Sequence, residues 1–157
     1  MLPPEMLKLE EDKSMDALEL LKKDHDRIKK LFTDANTYDD MKRLFEAIRA
    51  ELETHTQLEE TDFYPQFENR KFLKELIQDA REQHKLIKDL LRDMQTQEGQ
   101  EFEKNFQTLK AEVQLYIIAE ESEIFPQVRS LTDGPNLGEL GGQLASHRIQ
   151  YESGATT

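Results

Sequence analysis

Apolar residues return along this chain at alternating steps of three and four, the spacing that lines them up on one face of an α-helix. Leu18, Leu21, His25, Ile28 and Phe32 make the first such stripe, and Leu44, Ile48, Leu52, His55, Glu59 and Phe63 the second. The third runs Leu73, Ile77, Ala80, His84, Ile87, Leu91, Met94, and the fourth Phe102, Phe106, Leu109, Val113, Tyr116, Glu120, Ile124. Breakers fall between the stripes. Ser14 is the expected N-cap of the first helix, and Asn36-Thr37-Tyr38-Asp39 reads as a turn with Asp39 or Asp40 capping the second. Pro65 must end the second helix nearby, because proline disfavours the helical conformation in the residue before it. Tyr64 to Lys71 is then a connection, Gly99 breaks the chain after the third helix, and Thr132-Asp133-Gly134-Pro135-Asn136 is a loop. The reading is all-α: an up-down-up-down four-helix bundle over residues 14–130. An N-terminal tail over 1–13, with Pro3 and Pro4, precedes it. A C-terminal loop and short helix or tail over 131–157 follows, with Gly138, Gly141 and Gly142 weighing against the helix.

Each stripe is interrupted near its middle by a polar group: His25, then His55 with Glu59, then His84, then Tyr116 with Glu120. Two of these stretches share a template. In LETHTQLEETDFYP and LYIIAEESEIFP, counted back from the proline, Glu59 and Glu120 occupy the same place, Glu60 and Glu121 the next, and His55 and Tyr116 another. KKDHDRIKKLF around His25 likewise parallels REQHKLIKDLL around His84. Two helical hairpins related by a pseudo-two-fold axis would bring all four interruptions together at mid-height.

Composition narrows the chemistry. The chain of 157 residues carries a net charge of −12, which argues against nucleic acid and anionic membranes as partners. No run of apolar residues is long enough for a transmembrane helix, and the start lacks the basic flank and apolar core of a secretory signal, so a cytoplasmic protein is expected. There are no cysteines, which excludes disulfides, thiolate metal sites and cysteine nucleophiles. Nothing in the sequence sets an oligomeric state, and a monomer is the default.

A lone histidine on an apolar face is ordinarily a core residue with a local hydrogen bond. Four stripes broken at matching depth, two of them by carboxylates that would face each other, are poorly explained that way. Burying unpaired carboxylates is costly, and a bound cation supplies the missing countercharge. Nitrogen and oxygen ligands with two carboxylates able to bridge suit a pair of transition metals, although zinc would accept the same set. The Glu-x-x-His motif of ferritin-like di-iron bundles does not occur; here the order is His-x-x-x-Glu.

The arrangement H…HxxxEExxFYP…H…xxxEExxIFP, over about residues 15–130, resembles the hemerythrin-like, or HHE cation-binding, domain. The resemblance implies a four-helix bundle around a non-haem di-iron centre of two Fe ions. His25 and His55 would hold one iron, His84 the other, and Glu59 and Glu120 would bridge them. Two departures stand out. The family's usual histidine in the second His-x-x-x-Glu is Tyr116, and the position where oxygen carriers place a further histidine is Lys88. A hard anionic phenolate favours ferric iron, which works against reversible oxygen carriage. Tyr116 could ligate iron as phenolate, donate a hydrogen bond to a bridging oxygen, or be a core tyrosine. Glu121 is a further candidate ligand, because oxygen carriers place a carboxylate five residues after the histidine; otherwise it and Glu60 are solvated or supporting carboxylates. Phe32, Phe63, Tyr64, Phe102, Phe106 and Phe125 read as core and end packing, some of them along an apolar path, and His147 as a surface or capping residue.

The function implied is a small redox enzyme acting on O2, hydrogen peroxide or NO, with peroxide decomposition foremost. The alternatives are an O2 or iron sensor and an iron-handling protein without turnover. The catalytic residues are not legible in the sequence.

Overall fold

The computed structural model describes residues 1–153. Among those residues the regular elements are all helical: α1 (Pro4–Lys13), α2 (Ala17–Asp34), α3 (Tyr38–Leu58), α4 (Lys74–Met94), α5 (Gly99–Ala119), α6 (Phe125–Ser130) and α7 (Leu137–Glu152). Helices α2 to α5 are the four stripes. Consecutive members pair, α2 with α3 and α4 with α5, and the two hairpins close on each other as the expected bundle. Among the described residues no helix is long and apolar enough to cross a membrane.

The starts are fixed by side-chain oxygens, though not always those expected. Asp16 rather than Ser14 caps α2: its Oδ1 accepts from the Glu19 amide at 2.9 Å, and the Glu19 carboxylate accepts from the Asp16 amide at 3.1 Å. Thr37 rather than Asp39 or Asp40 caps α3, its Oγ1 accepting from the Asp40 amide at 3.1 Å. Both aspartates stand in the first turn instead, where they favour the helix electrostatically. Gly99 opens α5 with φ of 63°, a left-handed conformation that suits glycine.

Residues 1–13, expected as a tail, hold α1. Pro4 sits at its first turn, where the missing N–H is harmless. Helix α1 lies on α7, the predicted fifth helix, which in turn lies on α2 and α3. Asn136 caps α7 through Oδ1 to the Glu139 amide at 2.9 Å. Gly141, counted against this helix, is what lets it dock: a Cβ there would fall 2.2 Å from the carbonyl oxygen of Met15. Of the C-terminal segment expected at 131–157, residues 154–157 lie outside the described residues.

The second and fourth stripes do not end as simple helices. Glu59–Phe63 and Glu120–Ile124 each form a wide π-type turn, closed by the amides of Tyr64 and Phe125 bonding to the carbonyls of Glu59 and Glu120. A proline follows each turn. It cannot donate an N–H, and its ring crowds the carbonyl four residues back, so a regular turn is disfavoured there.

Two apolar clusters fill the bundle. One contains Leu21, Leu58, Phe63, Ile77, Phe125 and Leu144, the other Ile28, Ile48, Leu52, Ile87, Phe106 and Val113. Between them, on every one of the four helices, lies a layer of polar side chains.

Candidate metal centre

That layer gathers His25, His55, Glu59, His84, Tyr116 and Glu120, none more than 1% exposed. Each of the three histidines aims Nε2 inward and presents Nδ1 to a carboxylate outside. Asp24 Oδ2 receives His55 Nδ1 at 2.9 Å, Glu121 Oε2 receives His25 Nδ1 at 2.6 Å, and Glu60 Oε2 receives His84 Nδ1 at 2.7 Å. An acceptor at Nδ1 keeps a proton on that nitrogen and fixes the ring, so the Nε2 lone pair can serve a metal. Glu121, a candidate ligand from sequence, is therefore behind the His25 ring rather than among the inward atoms. Lys88, at the position where oxygen carriers have a histidine, donates to Glu60 at 2.8 Å and steadies the His84 support.

The inward atoms cluster tightly. His25, His55, Glu59 and Glu120 each offer one ligand atom, all within 4.8 Å of one another. A transition metal about 2.1 Å from each would draw them together by small shifts. His84 Nε2 lies 3.1 Å from Glu59 Oε1, so Glu59 faces both this histidine and His55, whose Nε2 is 3.3 Å away. The Tyr116 hydroxyl sits 2.7 Å from His55 Nε2 and 3.2 Å from Glu120 Oε1, and it also hydrogen-bonds Glu59. Tyr64, read from sequence as end packing, belongs here too. It is fully buried, its hydroxyl donates to Glu120 and Glu59, and it lies 3.5 Å from His84 Nε2.

The wide turns explain Tyr64. On a regular helix, at about 100° per residue, a residue five after Glu59 points well away from it. Closing the turn over five residues brings it back toward the same face. The second turn does the same for Phe125, whose ring stacks on His25 at 5.7 Å, as Tyr64 stacks on His84 at 5.6 Å.

Protonation shows the strain of this layer without a cation. Burial pushes the Glu120 carboxyl up, the charge of Glu59 adds to it, and the result is about 7. Burial would raise Glu59 as well, but the His55 charge and its hydrogen-bonding neighbours hold it well below the usual range, so Glu120 keeps a proton to higher pH than Glu59. Burial pulls His55 down, yet Glu59 and Asp24 outweigh it and lift the ring to about 10. His25 and His84 are raised in the same way, against burial, by Glu120 with Glu121 and by Glu59 with Glu60. Burial, with Glu120 and Glu59 alongside, drives both tyrosine hydroxyls well above their ordinary value. Even so, Glu59 Oε2 and His25 Nε2 remain buried without a hydrogen-bond partner; His25 Nε2 is 2.9 Å from Glu120 Oε1 but out of line with it. Buried, unpartnered polar atoms within one cluster of candidate ligands fit a bound cation.

The family model for the hemerythrin HHE cation binding domain matches residues 16–128. The chain belongs to the hemerythrin HHE cation-binding family. A crystal structure of a hemerythrin HHE cation binding domain-containing protein from Mycobacterium kansasii superposes with a TM-score of 0.74 at 25% identity, covering 90% of each chain. No curated protein matches. Within this HHE domain the supporting residues Asp24 and Tyr64 escaped sequence reasoning. Asp24 carries a faint signal, its place directly before His25, and Tyr64 is disguised by its alignment with Phe125. His147 is half-buried rather than loose on the surface, its Nδ1 2.7 Å from Asp62 Oδ1.

Proposed function

We propose that this HHE domain binds two iron ions, one between His25 and His55 and the other at His84. Glu59 and Glu120 would lie between the two positions, with the Tyr64 hydroxyl near His84 and the Tyr116 hydroxyl beside His55 and Glu59. The observation that carries this reading is the set of three inward Nε2 atoms, each backed by a carboxylate, around two buried carboxylates. Bound iron would supply one-electron redox changes and an open position for a small ligand. The chain's residues supply the rest. Glu59 and Glu120 balance the cationic charge, the two apolar clusters keep bulk water from the layer, and the two tyrosine hydroxyls stand ready to donate hydrogen bonds to a small oxygen species. A recess of about 330 Å³ between α4 and α5, lined in part by Leu76, Ala80, Gln83 and Ala119, reaches Tyr116 and Glu120 and offers a route in.

The reaction proposed is decomposition of hydrogen peroxide in the cytoplasm, two peroxides giving two waters and one O2, with O2 or NO as related ligands. The purified iron-loaded protein should hold two irons and consume peroxide over many cycles. Less than one equivalent of iron under saturating conditions would defeat the metal reading, and a single reaction per chain would defeat the enzyme reading. One observation favours the alternative of a sensor or iron-handling protein: hydrogen bonds tie the layer to the peripheral helix α7, so occupancy could be felt at the surface.

A further inference from the structure

Arg148 is a guanidinium 3% exposed on α7, outside the span that the family model matches. A buried cation requires partners, and this one has carboxylates on two sides. Its Nη2 donates to Asp24 Oδ1 at 2.8 Å, and its Nε lies 3.5 Å from Asp12 Oδ2 on α1. Arg27 also donates to Asp24 Oδ1. Asp24 is thereby gripped by one oxygen and offers the other to His55 Nδ1 at 2.9 Å. The helix carrying Arg148 is itself pinned beside the layer. Gly141 seats it against the start of α2, and His147 and Tyr151 hold Asp62, inside the wide turn that begins at Glu59, at 2.7 and 2.9 Å.

Among the described residues the opposite half has nothing of the kind. Aligning His84 with His25 puts Gln83 at the place of Asp24, and Tyr116 at the place of His55. A phenol needs no acceptor behind it to present its oxygen, and that side holds the recess between α4 and α5.

We infer that Arg148 is a positioning residue of the metal centre: through Asp24 it fixes the His55 ring, which makes α7 part of the site. The inference rests on the metal reading above. Its test is a chelator competition on the iron-loaded full chain, comparing wild type with Arg148→Lys, Arg148→Gln, Asp24→Asn and the Asp24→Asn/Arg148→Gln double variant. Supports of metal-bound histidines typically govern about 10–100-fold in affinity. Arg148→Gln should lower the affinity of one of the two irons by about that factor, and Arg148→Lys should recover most of it. The double variant should lose no more than Asp24→Asn alone, because both changes break one chain of contacts. It also removes two buried opposite charges together, so it reports even where Arg148→Gln alone does not fold. Hydrogen exchange over 137–152 should slow on iron loading in wild type and change less in Arg148→Gln, since the coupling is reciprocal. Additive losses overturn the inference, as does unchanged affinity in all variants while wild type binds iron. Affinity that follows metal-free melting temperature rather than the charge at 148 overturns it too. Wild type that takes up no iron overturns the metal reading and this inference with it.

Discussion

The two halves of the polar layer share a frame and differ in what the frame holds. In both, a glutamate begins a wide turn, the next glutamate reaches across to the Nδ1 of a histidine on a neighbouring helix, and the ring before the proline stacks on that same histidine. Glu59 with Glu60 and Tyr64 serves His84; Glu120 with Glu121 and Phe125 serves His25. The fourth position breaks the symmetry. His55 has Asp24 and then Arg148 behind it, under a covering helix, while Tyr116 has Gln83 for its neighbour and an open recess. The shared part is what a bound cation needs: countercharge, oriented nitrogens and a dry shell. The divergent part distinguishes a half built for orientation from a half built for access.

The largest effects should come from the shared frame. Glu59→Ala and Glu120→Ala should each abolish stoichiometric iron binding, because each carboxylate faces inward atoms of the layer. Glu60→Ala and Glu121→Ala should keep two irons with affinity lower by about 10–100-fold, the usual effect of losing a support behind a ligating histidine. Metal analysis of the four variants checks this. A larger loss in Glu121→Ala than in Glu120→Ala would make Glu121 the ligand and break the symmetry at the carboxylates.

Much of the frame was readable from spacing alone. The four stripes, their breakers and the polar group in each needed only the helical period, because burial on one face dictates where apolar residues fall. Helix α1 was not readable. It is acidic and short, with two prolines at its start, and it persists because Leu9 packs on the apolar cluster below and α7 lies beside it; no period within 1–13 reveals a partner more than a hundred residues away. Tyr64 was misplaced for a local reason, since the wide turn changes the rotation per residue just where a 3.6-residue period was assumed. Asp24 and Arg148 were missed because their role exists only across helices. The sequence places Asp24 beside His25, yet it serves His55, 31 residues on, and Arg148 reaches it from 124 residues away.

Acidity should separate the halves next. The buried His55 imidazole, facing Glu59 and Asp24, is lifted from 6.5 to about 10. Without metal its contribution to stability is complete below pH 6.5 and disappears as pH rises through 10. Glu120, raised from 4.5 to about 7, acts with the same sign in the lower part of that range, and the raised His25 and His84 add to it. Glu59 is depressed, so its contribution disappears instead on the acid side, below its ordinary 4.5. The metal-free protein should therefore lose stability steadily from about pH 5 to 10. Metal competes with the same protons, so the gain in melting temperature on iron loading should widen over that window. His55→Gln should flatten the upper part of the metal-free profile, whereas Tyr116→Phe should leave it, because that phenol stays protonated throughout. A melting-temperature gain that is constant from pH 5 to 9, or equal profiles for the two variants, would remove the distinction.

The smallest expected change in stability carries the finest distinction. Tyr116→Phe and Tyr64→Phe each keep the ring and remove one oxygen, so packing is preserved and the loss should be about 1 kcal/mol from hydrogen bonding. Both hydroxyls lie against Glu59 and Glu120, and without a cation both are held well above their ordinary value by burial and those charges. A metal ion reverses that balance, because a cation beside a phenol favours the phenolate. The ferric protein should then show a visible phenolate-to-iron band, and the two variants identify its source. Loss of the band in Tyr116→Phe alone makes the position equivalent to His55 a ligand, so the halves differ in donor type at one shared place. Loss in Tyr64→Phe alone moves the difference to the ring before the proline, where the other half has Phe125 and no oxygen to offer. Tyr116→His sharpens the same point by installing an imidazole in both halves. It should ease reduction to the ferrous state, because a neutral donor replaces an anion, and any peroxide turnover should shift with it. A spectrum and turnover unaltered by all three changes would leave both phenols as hydrogen-bond donors and confine the difference between the halves to the grip of Arg148 and Asp24 on His55.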